Sequence, residues 1–160
     1  MRSPEPPPPW VFWVAFPTLW LTGSLIIANV GGWAALARRF RLHEPLPSGR
    51  WRFQSAGMRW TTRYGACLTV AANHLGLYLS VFPLFRLGHP PLFIPWTEIS
   101  LAVVDMWGFP IKGRRRGRWR FELVEFRLGR ELQIPLRVRP KLADRLKAAA
   151  GPAWPAEPMR

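Results

Sequence analysis

The side chains able to do chemistry are few and scattered. His43, His74 and His89 lie far apart along the chain, and none has a partner at the spacing a helix or hairpin uses to hold a metal ion. Cys67 is the only cysteine, so neither an intramolecular disulfide nor a cysteine-rich zinc site can form, which fits a reducing compartment. It alternates with Ala66 and Leu68, where a free thiol acts as a small apolar side chain, and no base is nominated to activate it. Asp105 and Asp144 are the only aspartates, while Glu122, Glu125 and Glu131 fall on or beside alternating strand positions. A solvated face is the default for such glutamates, and no carboxylate pair for acid–base work stands out. Gly31, Gly32, Gly113 and Gly117 lack the strand–loop–helix context of a phosphate-binding fingerprint. The expectation is a protein that is no enzyme and carries no cofactor or metal.

What remains is charge. Lys112, Arg114, Arg115, Arg116, Arg118 and Arg120, with Trp119 among them, put six basic residues into nine. The run reads as the tip of a loop entering a strand. It is either a solvated turn, a patch for anionic lipid headgroups, or a non-specific contact for nucleic acid. The chain as a whole carries 23 Lys and Arg against 9 Asp and Glu, a net charge of +14. All but Arg2 and Glu5 of these follow Ala37, so the excess belongs to the C-terminal part and predicts attraction to anionic surfaces. Arginine dominates the basic residues, which suits phosphate recognition. Heavy use of Arg, Ala, Gly and Pro also suggests a GC-rich bacterial genome.

The elements that must position this charge begin with a Pro-rich tail, residues 1–9, which cannot be helical. Residues 10–37 contain no charge. As one helix they would reach roughly 42 Å, more than the ~30 Å a bilayer core requires, so a transmembrane helix with tilt or a frayed end is expected. Pro17 could kink it. Trp10, Trp13 and Trp33 lie toward its ends, where indoles favour the headgroup zone, although Trp20 sits mid-span. Ala35-Leu36-Ala37 has the form of a signal-peptidase site, but the apolar run is about twice the length of a signal core. Arg38, Arg39 and Arg41 follow at once and open a basic linker over 38–49; by the positive-inside bias the C-terminal domain lies in the cytoplasm.

Over 50–151 the apolar period becomes two, the mark of half-buried strands. An opening strand is predicted for Arg50 to Met58, and a hairpin for Tyr64 to Val70 and Leu77 to Phe82 around Asn73–Gly76. A strand pair is predicted about Pro95–Ile99, and a second hairpin over 118–138 with Gly129-Arg130 as a two-residue turn. Within that hairpin the apolar parity switches between Leu123 and Val124, which reads as a bulge or strand bend, and Pro135 argues for an edge strand. The segment Phe82 to Phe93 is rich in Leu and Phe but too broken by Pro and Arg to span a membrane; its Phe85, Leu87 and Leu92 either pack inside or rest in the interface. A helix starts at Pro140, with Leu142, Leu146 and Ala149 on one stripe, and stops at Gly151-Pro152. Residues 152–160 form a second Pro-rich tail.

Gly76-Leu77-Tyr78-Leu79, then Leu92-Phe93-Ile94-Pro95-Trp96-Thr97-Glu98-Ile99, then the strand from Leu132 to Val138 and the helix from Pro140, resemble bacterial pleckstrin-homology-like and GRAM-like domains. The resemblance covers roughly residues 50 to 150. It implies a membrane-anchored α+β protein, with a barrel or sandwich of about seven strands capped by a C-terminal helix. It implies a binding or scaffolding module near membranes, without catalytic residues to carry over. The expected protein is single-pass in a bacterial inner membrane and contacts anionic lipid, a protein partner or a second copy of itself. A membrane-bound, non-specific nucleic-acid-binding protein is the alternative. Removal of residues 1 to 37 is expected to leave a folded domain.

Overall fold

A computed structural model of the chain describes residues 8–59, 62–108 and 119–156. The uncharged N-terminal run forms two helices. The first, α1 (Pro9–Val30), starts at proline, which suits a position whose N–H has no intrahelical partner, and carries Pro17 within it. Its 22 residues span about 33 Å, close to the thickness of a hydrocarbon core. It is the one helix among the described residues long and apolar enough to cross a membrane. Only Ser24 and Ala28 of it are buried.

Gly31 and Gly32 break the run. Gly32 has φ +85°, a conformation that side chains rarely adopt, and a Cβ there would meet the Ile134 side chain at 3.0 Å. The second helix, α2 (Trp33–Phe40), turns back over the domain and buries Trp33 and Leu36 completely. Both residues are therefore core, and a cut after residue 37 would remove them.

Seven antiparallel strands follow: β1 (Trp51–Met58), β2 (Thr62–Ala72), β3 (Gly76–Val81), β4 (Leu92–Pro95), β5 (Ile99–Gly108), β6 (Trp119–Leu128) and β7 (Ile134–Val138). Their order in the sheet is β4-β3-β2-β1-β7-β6-β5. The two edge strands, β4 and β5, are consecutive in the chain and joined by a single 3₁₀ turn, Trp96–Glu98, so the sheet curls into a nearly closed barrel. The turn is tied to the end of β6: Gly129 N–H donates to the Glu98 carbonyl at 2.9 Å and Arg130 N–H to its carboxylate at 3.0 Å. The third helix, α3 (Pro140–Ala150), follows β7 directly and buries Leu142, Ala143, Leu146 and Ala150. Beyond it Trp154 packs between Trp96 and Phe126, at ring distances of 5.4 and 5.7 Å.

Four strand expectations change. Strands β4 and β5 do not pair with each other; each pairs with an earlier or later neighbour, β3 and β6 respectively. The ladder of β5 with β6 runs without a shift from Ile99↔Leu128 to Gly108↔Trp119, so the parity switch is no bulge. Phe126 and Leu128 are buried, while Leu123, of the other parity, is only half-buried. The irregularity lies in β1 instead, between Trp51, Gln54 and Ala56, with Phe53 at φ +56°. The turn after β6 spans Gly129 to Gln133 rather than two residues, which takes Leu132 out of the strand. Finally, β7 is internal, between β1 and β6. Pro135 is tolerated there because its carbonyl, and so its missing N–H, faces Arg59, one step past the last paired residue of β1.

Candidate functional site

The site is built where α1 lies along the barrel. After β3 the chain forms a short 3₁₀ turn, Pro83–Phe85, and then runs beside α1 to Pro90. Trp20 packs on Phe85 at 5.0 Å between ring centres, and Ser24 Oγ donates to the Leu87 carbonyl at 2.8 Å. Gly88, at φ +78°, lets the backbone pass so close to Ala28 and Leu25 that a Cβ would meet both at 3.1 Å. The Trp33 indole N–H closes the seam by donating to the Pro90 carbonyl at 2.9 Å.

Between this seam and the strands lies a cavity of about 580 Å³. Phe16, Leu19, Trp20, Gly23, Ser24 and Ile27 form its α1 wall; Phe53, the stretch from Arg63 to Cys67, and Val81, Phe82, Phe85 and His89 form the other. The lining is almost wholly apolar, and its small residues face each other: a Cβ on Gly23 or Gly65 would touch nothing within 4 Å.

Three polar groups of the lining, Ser24, Tyr64 and His89, are paired within the protein. His89 is buried, with Nδ1 at 3.2 Å from the Leu87 carbonyl and Nε2 at 3.0 Å from Tyr64 Oη. A carbonyl can only accept, so the proton sits on Nδ1 and the Tyr64 hydroxyl donates to Nε2. Trp33 covers both rings, at 5.6 and 5.4 Å. Burial pushes the Tyr64 phenol and the Cys67 thiol up and the His89 imidazole down, each toward its neutral form. A thiol held protonated is a weak nucleophile, and a Tyr–His pair sealed under an indole is a packing device more than a reacting one.

This pair predicts a pH effect. The unfolded chain protonates the imidazole below about pH 6.5, while the folded chain resists, so the unfolded state binds more protons and stability falls with acidification through that window. The thermal midpoint should drop between pH 7.5 and 5.5, and the drop should shrink in His89→Asn. An equal drop in both proteins would remove His89 as the cause.

The residues singled out from the sequence meet different fates. Lys112, Arg114, Arg115, Arg116 and Arg118 lie outside the described residues. Trp119 and Arg120 open β6, opposite Gly108 and Trp107. Trp10 and Trp13 are exposed near the start of α1. Trp33, expected with them in the headgroup zone, is instead fully buried in the barrel. Arg38 is exposed in the last turn of α2, where a cation suits the helix dipole. Arg39 pairs with Glu131 at 2.6 Å and reaches Glu98 at 3.9 Å, tying α2 to the barrel closure. Arg41 bridges to Leu92 through its backbone. In the broken apolar segment Leu92 packs in the core, Phe85 is half-buried and Leu87 is exposed. Sequence reasoning missed Phe53, Tyr64 and His89 as neighbours; three prolines around an apolar stretch with one histidine were the only signal. Among the described residues no three His, Cys, Asp or Glu side chains gather as a metal ion would need. No protein-family model, curated protein or solved structure matches the chain.

Proposed function

We propose that the chain is a non-enzymatic, membrane-tethered binding module of pleckstrin-homology-like type, with α1 spanning a bacterial inner membrane and the barrel held against its cytoplasmic face. The observation that carries this is the continuity of exposed apolar surface from α1 onto the domain. Leu84 and Leu87, like Leu19 and Ile26 of the helix, are more than half exposed, and Phe53 and Phe82 extend the same surface. So much apolar area on one side is costly in water and is expected only where a membrane or partner covers it.

The seam is irregular backbone that satisfies several of its carbonyls within the protein, as a segment near a membrane must, while its Arg86 stays exposed. Carbonyls of Phe82, Pro83, Arg86, Leu87 and Pro90 each accept a hydrogen bond from the chain, and Pro83, Pro90 and Pro91 have no N–H to satisfy. The strand order closed by a helix after β7 fits the element order that the family resemblance implies. Arg38, Arg39 and Arg41 at the domain end of α1 support the cytoplasmic orientation.

Two outcomes are expected. The full chain stays with membranes through alkaline carbonate, since a helix of this length inserts effectively irreversibly; release into the soluble fraction would end the anchor reading. A chain beginning at Gly31, which keeps Trp33 and Leu36, binds vesicles containing anionic lipid and binds neutral ones poorly. Replacing Arg114, Arg115 and Arg116 together by Ala weakens that binding by about 3 kcal/mol, at about 1 kcal/mol for each arginine near the surface. Undiminished binding by the triple variant would reduce the basic run to a solvated turn. Displacement from vesicles by DNA at low concentration would favour the nucleic-acid alternative.

A further inference from the structure

Helix α1 is docked on the barrel along a part of its length that a bilayer would need. The contacts that hold it run from Trp20, packed on Phe85, through Ser24, bonded to the Leu87 carbonyl, to Ala28, against Gly88. Only Pro9 to Leu19 stands clear of them, about 16 Å at 1.5 Å per residue, half of the ~30 Å that a hydrocarbon core requires. The barrel cannot make up the difference by sinking with the helix. Arg63 lines the cavity and Arg52 and Arg86 adjoin its Phe53 and Phe85; all three are exposed, and a guanidinium in hydrocarbon is costly. The docking is also loose. Helix α1 buries just Ser24 and Ala28, and a cavity of about 580 Å³ lies where the rest of its inner side would otherwise meet the strands. Helix α2, by contrast, is clamped by Trp33 and Leu36, both fully buried. Between the two helices stand Gly31 and Gly32, the second at φ +85°.

We propose that α1 is a strap with two positions: folded along the barrel, as in this structure, and swung away about Gly31 and Gly32 when it enters a bilayer, while α2 and the barrel keep their arrangement. The proposal rests on the reading that α1 crosses the membrane. Swung free, Pro9 to Val30 offers all of its 22 residues, about 33 Å, and the three arginines stay in water. Opening gives up little: the Trp20–Phe85 contact, the Ser24 hydrogen bond and the close approach at Gly88. Insertion covers Trp10, Phe12, Trp13, Leu19 and Ile26, each more than half exposed in the folded position. The glycine pair suits a pivot, because residues that absorb a large change in φ and ψ are free of strain only without a side chain. The pivot itself stays fixed to the barrel, since Arg59 Nη1 donates to the Val30 carbonyl at 3.3 Å and Thr62 lies against Gly31.

The test uses the full chain with Cys67→Ala, so that introduced cysteines are the only thiols. Spin labels at Leu19→Cys and Leu84→Cys sit close together in the folded position, where the neighbouring Trp20 indole N–H reaches the Leu84 carbonyl at 3.5 Å. In nanodiscs of phosphatidylethanolamine and phosphatidylglycerol their separation should grow by on the order of 10 Å, because Leu19 lies about 16 Å along the helix from the pivot. Labels at Arg38→Cys and Leu75→Cys should keep their separation, and a change there overturns the pivot. A second chain, Trp20→Cys with Phe85→Cys, is bridged in detergent by a short bis-maleimide containing a cleavable disulfide and then reconstituted. Alkaline carbonate should release the bridged chain and retain the same chain once the bridge has been cleaved before reconstitution. Labels at 19 and 84 that stay close in nanodiscs, or a bridged chain retained as firmly as the cleaved one, overturn the strap. Release of the unbridged chain would sink the anchor and this proposal with it, whereas its retention with the seam still closed would sink the strap alone.

Discussion

Replacing Trp33 by Ala is expected to cost about 3–5 kcal/mol of stability, which would leave a small domain marginal or unfolded. The ring has no exposed surface and covers Tyr64 and His89, while its N–H satisfies the Pro90 carbonyl. Alanine removes the whole indole, opens a void between α2 and the barrel, and leaves that carbonyl without its donor. The loss should be read from thermal and denaturant unfolding in detergent, followed by near-ultraviolet circular dichroism. Trp33→Phe separates the two contributions, because it keeps much of the packing but drops the hydrogen bond, worth about 1 kcal/mol. Trp13→Ala is the control: the side chain is exposed in α1, and within micelles the change should stay within about 0.5 kcal/mol. Equal effects at Trp13 and Trp33 would mean that α2 is not part of the folded core.

The second large effect is expected at Glu125. Its side chain is 7% exposed and lies 2.8 Å from Arg137 Nε, itself 10% exposed, and 3.2 Å from the half-exposed Arg127 Nε. The two main partners face each other across β6 and β7. Glu125→Gln keeps the shape but takes the opposite charge away from the largely buried Arg137 guanidinium, at a cost of up to about 3–5 kcal/mol. Arg127→Ala, by contrast, should cost no more than about 1 kcal/mol because solvent already screens that pair. The double variant Glu125→Leu, Arg137→Met is the informative comparison: removing both charges restores much of what Glu125→Gln loses. If Glu125→Gln unfolds at the wild-type denaturant midpoint, the pair is not structural.

Glu125 also illustrates how far alternation carries. Period two correctly placed it on the outward side of its strand, but outward is not the same as wet. Arg137 beside it and the side-chain-free Gly57 next to Arg137 let two arginines fold over the carboxylate, and no local pattern announces that. Strand positions were legible where turn chemistry bounded them, as at Asn73–Gly76 and Pro140. Pairing was legible for the two hairpins, β2 with β3 and β6 with β7, but not for β1 with β7, which meet only through contacts distant in sequence, nor for β4, which pairs with β3 and not with β5. The apolar run hid its division in the same way: Trp33 and Leu36 look equally at home in lipid and in a core, and only the left-handed Gly32 separates the two. The cavity was out of reach altogether, since its walls come from α1 and from three separate later stretches of the chain.

The pairing of β1 with β7 rests on Gly57↔Arg137 and Met58↔Leu136, strands drawn from opposite ends of the domain. During synthesis the first helix leaves the ribosome well before β7, and the barrel cannot be joined until β7 has been made. For most of that interval the nascent chain exposes the open rim of β1 and a Trp33 with nothing to cover. Such a topology folds slowly, because the entropy of a long loop is lost before its contacts form, and an unpaired strand rim invites association with other chains. Early capture of the N-terminal helix by a bilayer would hold each unfinished copy apart from its neighbours. The arrangement of a first-made helix and a last-closed strand thus sets an order of events as well as a shape.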